Sequence, residues 1–208
     1  MQTLIEKYPR LRTHLMHNTP IKGQLSALPM LIMAIYLLTQ IEWSWISLSV
    51  GTFLGVAYWT FFEYAMHRFL YHRIFKSKFS NELWQSFHMF HHRNIQEKSV
   101  LNANYLFLIP MALVNISILY IISLGKLNVL LFAVISLVIS YMFYEWVHYS
   151  IHTNPFKNNY IQYISKYHLH HHHKTALKNF GNTSSFWDIV LGTYDANYKK
   201  IDLNSVEY

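Results

Sequence analysis

The sequence predicts an all-α integral-membrane fold: four transmembrane helices in two hairpins, topped by a cytosolic helical cap, in a single domain over residues 1–208. Three observations predict it. Four stretches, Gly23–Ile41, Trp43–Phe62, Tyr105–Leu124 and Leu127–Tyr144, contain no Asp, Glu, Lys or Arg. The chain is 52% hydrophobic and 13% charged, about half the charge of an average soluble domain. The basic residues fall in three segments that a four-span topology places on one side.

Each stretch has the length a helix needs to cross about 30 Å of hydrocarbon. The expected spans are about 23–41, 43–66, 104–124 and 127–150. The first two are separated by little more than Glu42, and the last two by Gly125-Lys126. Pro110 and Asn115 in the third span are tolerable where neighbouring groups satisfy the freed backbone. Trp43, Trp45, Trp59, Tyr105 and Trp146 are read as interfacial anchors. The N-terminal segment (Lys7, Arg10, Arg12, Lys22), the central segment (Arg68, Arg73, Lys76, Lys78, Arg93, Lys98) and the tail (Lys157 to Lys200) are basic. The positive-inside rule puts all three, and both termini, in the cytosol. A bacterial inner membrane or the endoplasmic reticulum fits this multi-pass reading.

Composition excludes several classes. The first twenty residues are polar and charged, so no secretory signal is expected. There are no cysteines, which rules out disulfides, thiolate metal sites and Cys nucleophiles. The net charge of +7 is accounted for by membrane-flanking segments, and no nucleic-acid motif accompanies it.

The chemistry lies in the histidines. Twelve of the 14 fall in two segments, 67–100 and 148–208, after the second and fourth spans. His72 to His152, His88 to His168, His91 to His171 and His92 to His172 are each 80 residues apart, and His67 to His148 is 81. A fixed period marks a duplicated unit, here a membrane hairpin followed by a histidine segment. Residues three and four apart share a helix face, so His88, His91 and His92 can point one way, as can His168, His171 and His172, and His148 with His152. His67 and His72, five apart, do not align on an ideal helix. The helix is expected to end or distort there, or the two rings to approach from different directions.

Imidazole suits Zn, Cu, Fe and Ni. Ten matched histidines exceed the needs of one four-coordinate zinc but fit two ions with about five ligands each, so the cap is expected to hold a di-metal site. The candidate ligands are His67, His72, His88, His91, His92, His148, His152, His168, His171 and His172. His170 and His173 match Phe90 and Arg93 in the first unit, and are read as spectators or supporting groups. His14 and His17 are read as surface residues. Glu63 and Glu145 precede a histidine by one turn or less. Each can accept a ligand's free ring N–H, with a direct metal bond or, for Glu63, a salt bridge to Arg68 or Arg73 left open. In the tail, Gly181, Asn182 and Thr183 mark a turn. The apolar patch Phe186, Trp187, Ile189, Val190 and Leu191 is expected to pack the cap rather than to line an acyl-chain entrance.

At these residues the sequence resembles the fatty acid hydroxylase superfamily, which includes sterol desaturases, sterol methyl oxidases and fatty acid 2-hydroxylases. Its pattern, H-x3-4-H, H-x2-HH, H-x3-H, H-x2-HH, is present in order from His67 to His172, and the resemblance covers roughly Glu63 to Tyr194. Glu63-Tyr-Ala-Met-His-Arg-Phe-Leu-Tyr-His72 and the tail Asn179 to Asp188, with Leu191-Gly-Thr-Tyr194, look most like the fatty acid 2-hydroxylase branch. Asp188 is grouped with the supporting residues. The resemblance implies two iron ions (replaceable by Zn in purified protein), O2 as co-substrate, and hydroxylation of a lipid C–H, with no catalytic residue beyond the metal ligands. It also implies a lipid substrate drawn from the bilayer. Eukaryotic fatty acid 2-hydroxylases often carry a fused cytochrome b5 domain. The 22 residues before the first span leave no room for one, so the expected donor is a separate cytochrome b5-like or ferredoxin-like protein. Alternatives are a sterol or carotenoid hydroxylase or desaturase, and a membrane metal-binding or transport protein. A transporter would place its ligands near the bilayer midplane, whereas these cluster at the span ends.

Overall fold

The computed structural model describes residues 7, 16–17, 20–103, 105–153 and 158–205. In chain order the elements are β1 (Met16–His17), α1 (Pro20–Leu38), α2 (Trp45–Ala65), a π-helical turn (Met66–Tyr71), α3 (Lys78–Arg93), a 3-10 turn (Lys98–Val100), β2 (Asn102–Ala103), α4 (Tyr105–Ile122), α5 (Leu127–Thr153), α6 (Asn159–His173), α7 (Phe186–Val190) and a 3-10 turn (Ala196–Lys200). The chain is mostly helical, as expected. The departure is a two-residue antiparallel pairing, Met16 with Ala103 and His17 with Asn102. His14 and Lys157 lie outside the described residues.

Among the described residues, three helices are long and apolar enough to cross a membrane: Ile21–Leu38, Trp45–Tyr71 and Leu127–Thr153. The third expected span is the shorter apolar helix α4, of which Phe107–Ile122 has that character. Ser44 starts α2 with a capping box: its Oγ accepts from Ser47 N (3.2 Å), and Ser47 Oγ accepts from Ser44 N (2.9 Å), satisfying two donors at the helix start. Leu124 and Gly125 both adopt left-handed backbone (φ 54° and 69°), which reverses the chain between α4 and α5. Asn115 is accommodated as the sequence requires. Its Nδ2 donates to Met111 O (2.6 Å) and its Oδ1 accepts from Tyr58 OH (2.7 Å).

Helix α5 is the hub. It packs against α1, α2, α4 and α6. Leu130, Leu131, Ala133, Val134, Leu137 and Val138 form one core with Ala27 and Ala34 of α1, Trp59 of α2 and Leu119 of α4. At 27 residues it is about 40 Å long, longer than the roughly 30 Å of a hydrocarbon layer, and its last turns join a second core. There Val147 and Ile151 pack with Ile161, Ile164, Tyr167 and Leu169 of α6 and Tyr198 and Ile201 of the tail. Trp43 and Trp45 are exposed, but Trp59 is buried against Tyr141 and Tyr144 rather than at an interface.

The α2–α5 contact is unusually close because Gly51 and Gly55 face α5. A Cβ at Gly51 would lie 2.5 Å from Val129 O and 2.6 Å from Phe132 Cβ, and one at Gly55 would strike the Ala133 carbonyl. Small residues four apart allow backbones to approach in this way. Gly55→Leu is therefore expected to force the helices apart and cost about 1–3 kcal/mol or more. A lowered thermal midpoint in detergent, with Val56→Leu on the exposed face near wild type, checks this; equal midpoints would refute it.

Candidate metal centre

The inner ends of α2 and α5 deliver the first histidines. Beyond Ala65 the α2 helix widens into the π turn, in which His72 N donates to His67 O (3.2 Å). An i→i+5 ring absorbs the one-residue excess of the first unit and brings His67 and His72 to one face, with ring centroids 5.0 Å apart. In the second unit His148 and His152, four apart on regular α5, need no such turn. Helix α3 supplies His88, His91 and His92, and α6 supplies His168, His171 and His172. Ser77 caps α3 by accepting from Ser80 N (3.3 Å), and Asn158 caps α6 by accepting from Tyr160 N (2.7 Å).

All ten candidate ligands converge. The ligating atoms of His67, His72, His88, His92 and His171 lie within 4.8 Å of one another, and so do those of His91, His148, His152 and His168. His172 borders the second set, its Nε2 2.9 Å from that of His168. The units exchange one ring each. His171 of the second unit completes the first cluster, and His91 of the first completes the second, its ring 4.4 Å from His152. His92 and His172, equivalent in the repeat, stack between the clusters at 4.0 Å and 15°.

The spacing fits shared metal ions. Nε2···Nε2 distances are 2.8 Å (His72–His88), 3.0 Å (His88–His92), 3.0 Å (His72–His171) and 3.1 Å (His152–His168). Imidazole nitrogens about 2.0–2.1 Å from one ion and at right angles to each other are about 3 Å apart. Backbone carbonyls select the tautomers. His171 Nδ1 donates to Lys178 O (2.7 Å) and His67 Nδ1 donates to Phe180 O. This leaves the Nε2 lone pairs of both rings facing the cluster, and His67 Nε2 is buried without a partner, as are both ring nitrogens of His91. Uncompensated lone pairs crowded together in a buried site are costly; a cation at their centre satisfies them.

Desolvation keeps these rings neutral. Burial lowers His72 to about 4 and His171 to about 3 from an ordinary 6.5, and holds His88, His91, His168 and His172 well below it.

The remaining candidates hold the loops around the rings. Glu63 Oε1 accepts from Asn182 N (2.6 Å) and Thr183 N (2.8 Å), and Oε2 from Thr183 Oγ (2.7 Å). Glu145 accepts from Tyr141 OH (2.6 Å), Ala103 N (3.4 Å) and Asn102 Nδ2. Asp188 accepts from Phe180 N (2.9 Å), Gly181 N (2.8 Å) and Thr193 Oγ (2.7 Å). His170 faces Asn179 (3.4 Å) and Asp195 (3.8 Å), and neither it nor His173 belongs to a cluster. The tail patch departs from the packing expectation. Trp187 does pack on Phe61 (4.9 Å) and donates to Thr60 Oγ (3.2 Å), but Phe186, Ile189 and Val190 are more than half exposed. The Lys178 and Phe180 carbonyls carry no side-chain signal in the sequence. Asn102 and the pairing role of Asn182 carry one only when the 80-residue offset is extended ten residues past His92 and His172.

A cavity of about 420 Å³ opens beside both clusters. His67 and His88 of the first and His91 and His148 of the second line one end. From there it runs between α1 (Ala27, Met30), α2 (Trp59, Phe62), α4 (Phe107, Met111, Asn115) and α5 (Leu137, Val138, Tyr141).

The fatty acid hydroxylase family model matches residues 52–193, which contain every candidate ligand. The chain belongs to the fatty acid hydroxylase family. Relatives include a dihydroceramide fatty acyl 2-hydroxylase, FAH2, of Arabidopsis thaliana, 32% identical over 143 residues, covering 67% of this chain and 58% of that protein. The ceramide very long chain fatty acid hydroxylase scs7 of Schizosaccharomyces pombe is 32% identical over 152 residues (67% of this chain, 41% of that one). The fatty acid 2-hydroxylase of Mus musculus is 28% identical over 151 residues (71% and 40%). The chain thus spans less than two thirds of the length of these relatives. The fold matches a solved structure of full-length scs7p, in which only the hydroxylase domain is visible, with a TM-score of 0.77 at 22% identity, covering 93% of this chain and 70% of that one.

Stability of this family member without metal is expected to depend on acid in one direction. The unfolded rings bind protons below about pH 6.5, whereas folded His72 and His171 resist them down to about 4 and 3. The unfolded state then holds more protons, so stability falls as pH drops from about 6.5 toward 3. Thermal melts of chelator-treated protein from pH 7.5 to 4 read this directly; a flat midpoint contradicts it.

Proposed function

We propose that this protein is an O2-dependent di-iron membrane oxygenase that hydroxylates a fatty-acyl chain, in the manner of a fatty acid 2-hydroxylase. The observation that carries the reading is the cavity. It joins both histidine clusters at one end to an apolar channel between the long helices at the other, so a lipid chain lying between the helices presents a C–H bond to both. The names of the relatives, which specify fatty-acyl hydroxylation, favour an acyl chain over a sterol or carotenoid.

In this reading α4 also crosses the bilayer, as the third of four spans, since its 18 residues reach about 27 Å. The cap and both termini lie in the cytosol, where the basic segments belong. His67, His72, His88, His92 and His171 hold one iron. His91, His148, His152, His168 and His172 hold the other. Bound iron would supply the O2 activation that attack on an unactivated C–H requires. The four-electron reduction of O2 draws two electrons from a cytochrome b5-like or ferredoxin-like protein and two from the C–H bond.

The protein's own residues set the conditions. Burial keeps the ligand rings neutral, and the Lys178 and Phe180 carbonyls fix the tautomers of His171 and His67. Trp59, Phe62, Leu137 and Val138 exclude water along the channel. No residue is needed as a general base, because the hydrogen would leave as an atom, with one electron of its bond, rather than as a proton.

Two measurements test the proposal. Purified protein should hold about two metals per chain, the count that two five-imidazole sets provide for, and His171→Ala should lower it; a metal-free wild type overturns the reading. Cells expressing the protein should gain 2-hydroxy acyl lipids over cells without it. An unchanged acyl profile with altered sterols or carotenoids would reject the substrate class.

A further inference from the structure

The two buried glutamates are placed as equivalents in the duplicated unit, and each grips a loop of the other unit. Asn102-Ala103 and Asn182-Thr183 are 80 residues apart, the same offset as the histidines. Glu63, four residues before His67 in the first unit, binds the backbone of Asn182 and Thr183 in the second. Glu145, three residues before His148 in the second unit, binds Asn102 and Ala103 in the first. The exchange copies that of His171 and His91.

Each gripped loop serves a different cluster. The loop held by Glu63 presents Phe180 O to His67 and Lys178 O to His171, both rings of the first cluster. The strand held by Glu145 follows Leu101, and Leu101 and Ala103 line the cavity beside His148 of the second cluster, three residues after Glu145 on α5. We propose that Glu63 and Glu145 are positioning residues, a crossed pair of latches, and that each governs metal retention at one of the two sites independently of the other. The proposal rests on the two-metal reading above.

The latch is a set of hydrogen bonds rather than a charge. A glutamine at 63 can accept from both backbone N–H groups through its oxygen and donate its amide to Thr183 Oγ. A glutamine at 145 can donate to Asn102 Oδ1, which is buried without a partner, once the Asn102 amide turns over. Alanine at either position leaves buried donors unmet, which is costly.

The test is the release of metal from detergent-purified, iron- or zinc-loaded protein into excess chelator, followed in time. Glu63→Ala is expected to speed the release of one metal at least tenfold, in line with the effect of losing a group that orients a ligand. Glu145→Ala should speed the other, and the double variant both. Glu63→Gln and Glu145→Gln should keep wild-type rates. Thr183→Val and Asn102→Ala, which remove one donor from each latch, should show the same division if an alanine variant does not fold. General loosening of the cap would instead speed both phases together. That result, a shared phase for both glutamates, or no change in either, overturns the latch while leaving the two-metal reading intact. A wild type that holds a single metal overturns the two-metal reading, and the latch with it.

Discussion

The close approach of α2 to α5 is the constraint on which the rest depends. Gly51 and Gly55 let the backbones meet where any side chain would collide with Val129, Phe132 or Ala133. The two helices then run inward side by side, and their inner ends carry Glu63 and His67 on one, Glu145, His148 and His152 on the other. The position of the first histidines is thus set by helix packing in the apolar layer, well before any ring meets a metal. A separation of even one methyl group between these helices would move two sets of rings relative to each other. Close-packed interiors transmit such shifts rather than absorb them.

The second constraint is that rings buried this deeply must be neutral and must have partners. The clusters meet the first condition through desolvation. Backbone carbonyls meet part of the second at His67 and His171. The inward lone pairs are left for a cation. Metal binding and the folding of the cap are then coupled, because the unfolded chain offers no preformed site and binding free energy becomes folding free energy. The loop at 178–183 is central to this coupling. It is tied to α2 by Glu63 and to α7 by Asp188, while its carbonyls orient two rings.

Much of this was legible in the sequence because it depends on period and spacing. The uncharged stretches located three long helices and the shorter α4, and the 80-residue offset located both clusters. The odd five-residue gap between His67 and His72 foretold a distortion, and the π turn supplies it. What was not legible depends on contacts between distant segments. Spacing does not say that His91 and His171 trade clusters, since each lies on the same helix face as its neighbours. Trp59 reads as an interfacial anchor by type, yet its place four residues before Glu63 puts it inside the bundle, against Tyr141 and Tyr144. The tail patch reads as core by composition, but α7 is five residues long, and so short a helix packs Trp187 on α2 while leaving its other apolar side chains exposed.

The duplication also bears on where the proposed substrate meets the site. The cavity touches His67 and His88 of one cluster and His91 and His148 of the other, while His72, His92, His152, His168, His171 and His172 do not line it. The touching rings come from the two helix ends and from α3, and they form a face shared between the clusters. A chain arriving along α4 and α5 reaches that shared face before any other part of the site. Val100, Leu101 and Ala103 line it on the first-unit side, and Asn182 on the second. The loops that the glutamates grip therefore do two things at once. They steady the rings from outside and wall the place where the acyl carbon would rest, so that the same hydrogen bonds bear on both metal and substrate position.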